Sequence, residues 1–143
     1  MDEVIPGVSD MGQSVYRSIH VFKGGLYGHN GRIFPDQFCK EKNIEPVVEI
    51  CKMDEIEKAV RSGTEIIAVN ARDLDTFDVN VKKACHLIKM IPDHFIKLGF
   101  SGVHSHVEVE LYKKSGAKAV LVGTELMKAN NVKRKIEELK NVS

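Results

Sequence analysis

The sequence has almost no net charge, few cysteines and no long apolar run, and each shortage removes a class of function. With 21 basic against 20 acidic side chains its formal charge is +1, so no overall field favours nucleic acid or a membrane surface over a small anion. Neither nucleic acid nor a membrane is expected as a partner, and any anion site has to be local. The three cysteines, Cys39, Cys51 and Cys85, are odd in number and show no CxxC spacing, which fits buried thiols in a reducing cytoplasmic or plastid interior. No apolar stretch approaches the roughly 18 residues of a membrane span. The opening MDEVIPGVSD is acidic and lacks the charged, apolar and small-residue progression of an export signal, so a soluble cytoplasmic protein is expected. No GxxxxGKS/T pattern occurs, and KGGLYGHNG from Lys23 to Gly31 has no strong helix behind it, which argues against a nucleotide loop. At 143 residues the chain allows one domain with a sizeable core, but falls short of the roughly 250 residues of a complete eight-unit α/β barrel.

What is present begins raggedly. Gly7, Gly12, Gly24, Gly25, Gly28 and Gly31 interrupt residues 1–31, and only Val15 to Lys23 resembles a strand. Ile33 to Asn43 suits a short helix after Pro35, with Phe34, Phe38 and Cys39 inward. From Glu45 short apolar runs alternate with amphipathic stretches, the order that implies a parallel sheet. PVVEIC is the first strand. The helix from Met53 to Ser62 turns Ile56, Ala59 and Val60 inward, and Gly63 closes it. EIIAVN from Glu65 to Asn70 is the second strand. Val81 to Met90 sets Val81, Ala84, Cys85 and Ile88 on one face and Lys82, Lys83 and Lys89 on the other. Phe95 to Leu98 is the third strand, Ser105 with Glu108 forms a capping box for the next helix, and Gly116 ends it. Lys118 to Gly123 is the fourth strand, and Val132 to Leu139 the last helix, with Ile136 and Leu139 inward. SGTEIIAVN and SGAKAVLVG share helix end, glycine and strand, a faint internal repeat. Four such units suit either half of an eight-stranded barrel or a small doubly wound sheet.

In either architecture ligands bind at the carboxyl ends of parallel strands, so Glu49, Asn70, Arg72, Phe100, Ser101, Gly102, Gly123 and Thr124 are expected on one face. A carboxylate flanked by Val47, Val48 and Ile50 is poorly solvated, the condition that tunes such a group toward general-base work, which makes Glu49 the candidate catalytic residue. The competing reading is a salt-bridged or rim carboxylate. Asn70 offers an amide to orient hydroxyls and Arg72 a guanidinium to grip an anion; alternatively Arg72 pairs with Asp73 or Asp75 to brace the loop. Ser101-Gly102 and Gly123-Thr124 place exposed N–H groups on adjacent loops, an arrangement that holds phosphate in many barrels, unless both glycines merely turn the chain. His104 and His106 form an HxH at a loop and helix start with no acidic or cysteine cluster of ligand spacing, so they read as surface histidines and no metal is expected.

The stretch from Glu45 to about Asn131 resembles indole-3-glycerol-phosphate synthase, a barrel enzyme of tryptophan biosynthesis. EPVVEI resembles that family's fifth strand with its catalytic glutamate, IIAVNARDLDTFDVN its sixth strand and substrate loop, and FSGV and LVGTELM its seventh and eighth strands with their phosphate loops. The resemblance implies a partial (β/α)8 TIM barrel. Residues 44–143 would form a C-terminal half-barrel of four βα units, and residues 1–43 a weakly structured or edge-capping extension. It implies Glu49 as the catalytic residue, Asn70 and Arg72 on the substrate, Ser101, Gly102, Gly123 and Thr124 on its phosphate, and no cofactor.

Two departures from the family pattern bear on activity. The family's early strands carry two active-site lysines, one of them the general acid, and nothing in residues 1–43 reproduces those motifs. Phe100 stands where the family has a glutamate. The expected activity is therefore the decarboxylating ring closure of 1-(2-carboxyphenylamino)-1-deoxyribulose 5-phosphate, weak or absent in this chain alone. The alternative is a non-catalytic phosphate-binding half-barrel that needs a partner, either a second copy or a complementary half-barrel chain, because a half-barrel has open strand edges.

Overall fold

The computed structural model describes the backbone of residues 2–8 and 14–23 and the full residues 39, 41–73 and 75–140. The helix expected over 33–43 and the glycine-rich 24–31 stretch fall almost wholly outside the described residues. One six-stranded sheet runs in sequence order: β1 (Asp2–Val8), β2 (Ser14–Lys23), β3 (Ile44–Ile50), β4 (Ile66–Asn70), β5 (Ile96–Phe100) and β6 (Ala119–Leu121). β1 lies antiparallel to β2, and every later neighbour is parallel. The strands β3 to β6 alternate with helices as an α/β half-barrel.

The helices follow from local sequence. A 3-10 turn (Met53–Glu55) leads into α1 (Ile56–Val60), which buries Ala59, and Gly63 beyond it takes φ 83. Asn80 caps α2 (Val81–Met90) by accepting from the Lys83 amide at 2.9 Å. Ala84, Leu87 and Ile88 face inward, and burying the Leu and Ile side chains contributes about 1.5–3 kcal/mol each. Ser105 and Glu108 form the expected capping box of α3 (His106–Ser115), and Gly116 ends it at φ 102. α4 (Thr124–Lys128) is a short helix that no apolar period announces, and α5 (Val132–Lys140) packs Leu139 into the core.

Strand alternation sorts the core into two sides. Val48, Ile50, Ile67 and Val69 pack against the helices. Val47, Ala68 and Phe100, with Ile66 and Leu98, cluster on the opposite face. The ends of β3 to β6 lie within two residues of those expected. β5 continues through Gly99 and Phe100, because these residues still pair with Val69 and Asn70 of β4. β6 shortens to three residues paired to β5.

The α3 capping box has a pH signature. Glu108 Oε2 accepts from the Ser105 amide and hydroxyl, both at 2.8 Å, and from the His104 amide at 3.3 Å. Burial pushes the Glu108 carboxyl up, but these hydrogen bonds outweigh it and hold the group below its ordinary 4.5. Its contribution is then fully present above that value and is lost as pH falls through the depressed folded-state value. Glu108→Ala is expected to cost about 1 kcal/mol in urea denaturation at pH 7, as caps generally do, with the difference from wild type shrinking as the pH falls below the ordinary 4.5.

Candidate functional site

Because β3 to β6 point the same way, their carboxyl ends open on one rim, and a cavity of about 490 Å³ sits there. All eight residues expected at strand ends line it: Glu49, Asn70, Arg72, Phe100, Ser101, Gly102, Gly123 and Thr124. Glu49 is half-buried between buried Val48 and Ile50, and its Oε1 accepts from Asn70 Nδ2 at 3.4 Å. The Asn70 Oδ1 accepts the Arg72 amide at 3.0 Å. One amide side chain thus ties the carboxylate of β3 to the loop after β4.

That loop is itself a small folded unit. Arg72 bridges to Val79 in antiparallel fashion, the Asn80 amide donates to the Ala71 carbonyl at 2.9 Å, and the Asp73 amide to the Asp78 carbonyl at 2.8 Å. Asp73 Oδ1 accepts from the amides of Asp75 and Thr76, which hold its carboxyl below the ordinary range. Arg72 Nη1 donates to the Phe77 carbonyl at 3.2 Å. The neighbouring acids have other partners, Asp75 with Lys52 and Asp73 with Lys83. Arg72 is therefore held by backbone and remains an exposed cation at the cavity edge.

On the other side stand the loops after β5 and β6. Ser101 and Gly102 both adopt positive φ, 67° and 73°. An added Cβ at Gly102 would lie 2.5 Å from Val81 Cγ2, so turn and packing both demand glycine there. Gly123 is different. Its φ is −110°, and a Cβ would meet nothing within 4 Å among the described residues. Behind the first loop, the ring of fully buried Tyr112 fills the space that a side chain at position 99 would occupy. Burial, with a smaller effect from Cys85, pushes its phenol well above the ordinary value, so the hydroxyl stays protonated.

His104 and Glu125 also line the cavity; the sequence marks His104 only as a surface histidine and gives Glu125 no role. The exposed His104 ring meets Glu125 through Nδ1 and Oε1 at 2.9 Å. Lys135 of α5 donates to the His104 carbonyl at 2.8 Å and lies 4.0 Å from Glu125. The His104 hydrogen bond, opposed by burial and aided by Lys135 and Lys128, holds the Glu125 carboxyl low. The only sequence signal for this cluster was its nearness to the two loops, since the three residues come from separate segments. His106 is exposed on α3. Among the described residues no three His, Cys, Asp or Glu side chains gather as metal ligands.

Residues 36–139 match the family model for indole-3-glycerol phosphate synthase. The indole-3-glycerol phosphate synthase of Methanothermobacter marburgensis is 33% identical over 112 residues, covering 75% of this chain and 41% of its own length. That of Alkaliphilus metalliredigens is 36% identical over 101 residues, covering 71% and 39%. The multifunctional tryptophan biosynthesis protein of Schizosaccharomyces pombe is 36% identical over 107 residues, 75% of this chain and 14% of that one. The chain therefore spans about two-fifths of the single-activity relatives. Among solved structures, thiamine phosphate pyrophosphorylase from Pyrococcus furiosus superposes at TM-score 0.62 with 12% identity, covering 84% of this chain and 56% of that one, a likeness of fold.

The two glycines make opposite predictions for stability. Gly102→Ala is expected to lower urea-denaturation stability by about 1–3 kcal/mol through strain and contact with Val81. Gly123→Ala is expected to stay within about 0.5 kcal/mol of wild type.

Proposed function

Since the chain belongs to the indole-3-glycerol phosphate synthase family, we propose that its cavity takes that family's substrate, 1-(2-carboxyphenylamino)-1-deoxyribulose 5-phosphate. The observation that carries the proposal is the gathering of all eight strand-end residues on one cavity. In this reading the backbone of Ser101 and Gly102 on one loop and of Gly123 and Thr124 on the other receives the phosphate. Gly123 supports it, because neither φ nor packing requires a glycine there, whereas a ligand approaching the backbone does. Asn70 and Arg72 hold the body of the substrate, and Glu49, tethered by Asn70, takes a proton late in ring closure.

Decarboxylating ring closure also needs a general acid at the carbonyl oxygen. None of the eight residues supplies one with the proton affinity of a lysine, and Phe100 presents a buried apolar ring on the face where a carboxylate would be expected. The chain alone is accordingly weakly active or inactive, and its described residues serve as the phosphate-holding half of the reaction.

A partner that completes the barrel is the second reading, favoured by the open side of the sheet. Among the described residues β6 pairs only with β5, and Ile96 and Leu121, on the face turned from the helices, are 44% and 37% exposed. β1 runs against the other strands, so a second copy brought to β6 through its β1 would meet it antiparallel. A complementary chain carrying the missing parallel units fits that edge better than a second copy does. A monomer at tens of micromolar in sedimentation, with both sheet edges protected from hydrogen exchange, would count against any partner.

Turnover of the ribulose phosphate is the decisive assay. Weak turnover that Glu49→Gln abolishes, while phosphate affinity stays within about twofold, is the expected outcome; a large loss of phosphate binding in that variant would mean that Glu49 is misassigned. Gly123→Ala is expected to weaken phosphate binding while leaving the thermal midpoint in place, and unchanged binding would remove that loop from the phosphate site.

A further inference from the structure

Tyr112 is the most completely buried aromatic side chain among the described residues, at 0% exposure, and it lies behind the cavity wall. Its hydroxyl is 2.9 Å from the Ser101 carbonyl oxygen and 3.1 Å from that of Phe100, so one proton is shared between two consecutive carbonyls. The Phe100 carbonyl has a second donor, the Ala71 amide at 2.8 Å, from the loop after β4. Such an arrangement fixes more than the carbonyls. A trans peptide is planar, with its N–H directed opposite to its C=O. Two carbonyls drawn to Tyr112 therefore turn the N–H groups of Ser101 and Gly102 away from the buried hydroxyl, and both residues line the cavity.

We infer that Tyr112 is a positioning residue for an anion subsite, aiming the Ser101 and Gly102 amides at a phosphate monoester through the two carbonyls it holds. This rests on the phosphate reading of the cavity given above. Two further features agree with it. The positive φ of both Ser101 and Gly102 is a conformation uncommon and costly for a non-glycine residue such as Ser101, and the Tyr112 hydroxyl bonded to its carbonyl helps to hold it. Gly99 leaves room for the ring, since a Cβ there would fall 2.4 Å from Tyr112 Cδ1. The strand thus gives up a side chain to let the tyrosine reach the loop.

The test is Tyr112→Phe, which keeps the ring and removes only the donor, compared on the full chain with Leu87→Val, a core change on α2 away from the cavity. Inorganic phosphate is titrated by amide NMR, thermal midpoints are recorded, and hydrogen exchange of the Ser101 and Gly102 amides is measured without ligand. Tyr112→Phe is expected to weaken phosphate binding about tenfold and to speed exchange of both amides. Leu87→Val, at a comparable fall in midpoint, leaves both unchanged. Wild-type affinity in Tyr112→Phe, or an equal loss in Leu87→Val, overturns the assignment. Should wild type bind no phosphate, the phosphate reading of the cavity fails and takes the anion role of Tyr112 with it. The ligand-free exchange rates report separately whether the hydroxyl orders the loop: faster in Tyr112→Phe alone if it does, equal in both variants if it does not.

Discussion

The carbonyl oxygen of Phe100 receives the Ala71 amide from one neighbouring loop and the Tyr112 hydroxyl from the helix beneath. Both halves of the candidate site depend on that junction. On one side it prolongs the β4–β5 ladder past Asn70, so the loop bearing Arg72 starts from a fixed point. On the other it sets the direction of the peptide that leads into Ser101 and Gly102. A parallel ladder delivers its strand ends side by side, but only to within the freedom of the next peptide, and here that freedom is removed by a buried phenol.

The charges at the rim are arranged with similar economy. The Glu49 carboxylate and the Arg72 backbone amide are tied to the two ends of the same Asn70 side chain, while the Arg72 guanidinium is held on the Phe77 carbonyl. Glu125 brings negative charge to the side with the glycine loops. His104, Lys128 and Lys135 offset it, and Lys135 also braces the loop through the His104 carbonyl. These rim interactions are exposed and individually weak in water; their effect is on the local field at the cavity, not on the stability of the fold.

A chain spanning about two-fifths of its single-activity relatives presents the strand ends of a half-barrel and, at β6, a short sheet edge. The apolar face opposite the helices is covered at Val47 and Ala68 but partly open at Ile96 and Leu121. In a closed barrel that face is interior, and the gradient from covered to open runs toward β6, an edge strand among the described residues.

Much of this was legible in the sequence, because it depends on local pattern. The period of Val81 to Met90, the Ser105–Glu108 box and the glycines after α1 and α3 all act within a few residues, and the direction of parallel strands puts Glu49, Asn70, Ser101 and Gly123 on one rim. Where the pattern was short it failed: α4 spans five residues, and β1 among scattered glycines offered no alternation to follow. What only the tertiary structure decided is contact between distant segments. His104, Glu125 and Lys135 meet across 31 residues of chain, and Tyr112 reads in the sequence as one more residue of an amphipathic helix. Its hydroxyl finds Phe100 and Ser101 only because α3 packs on β5 at the one position, Gly99, that has no side chain to hold it off.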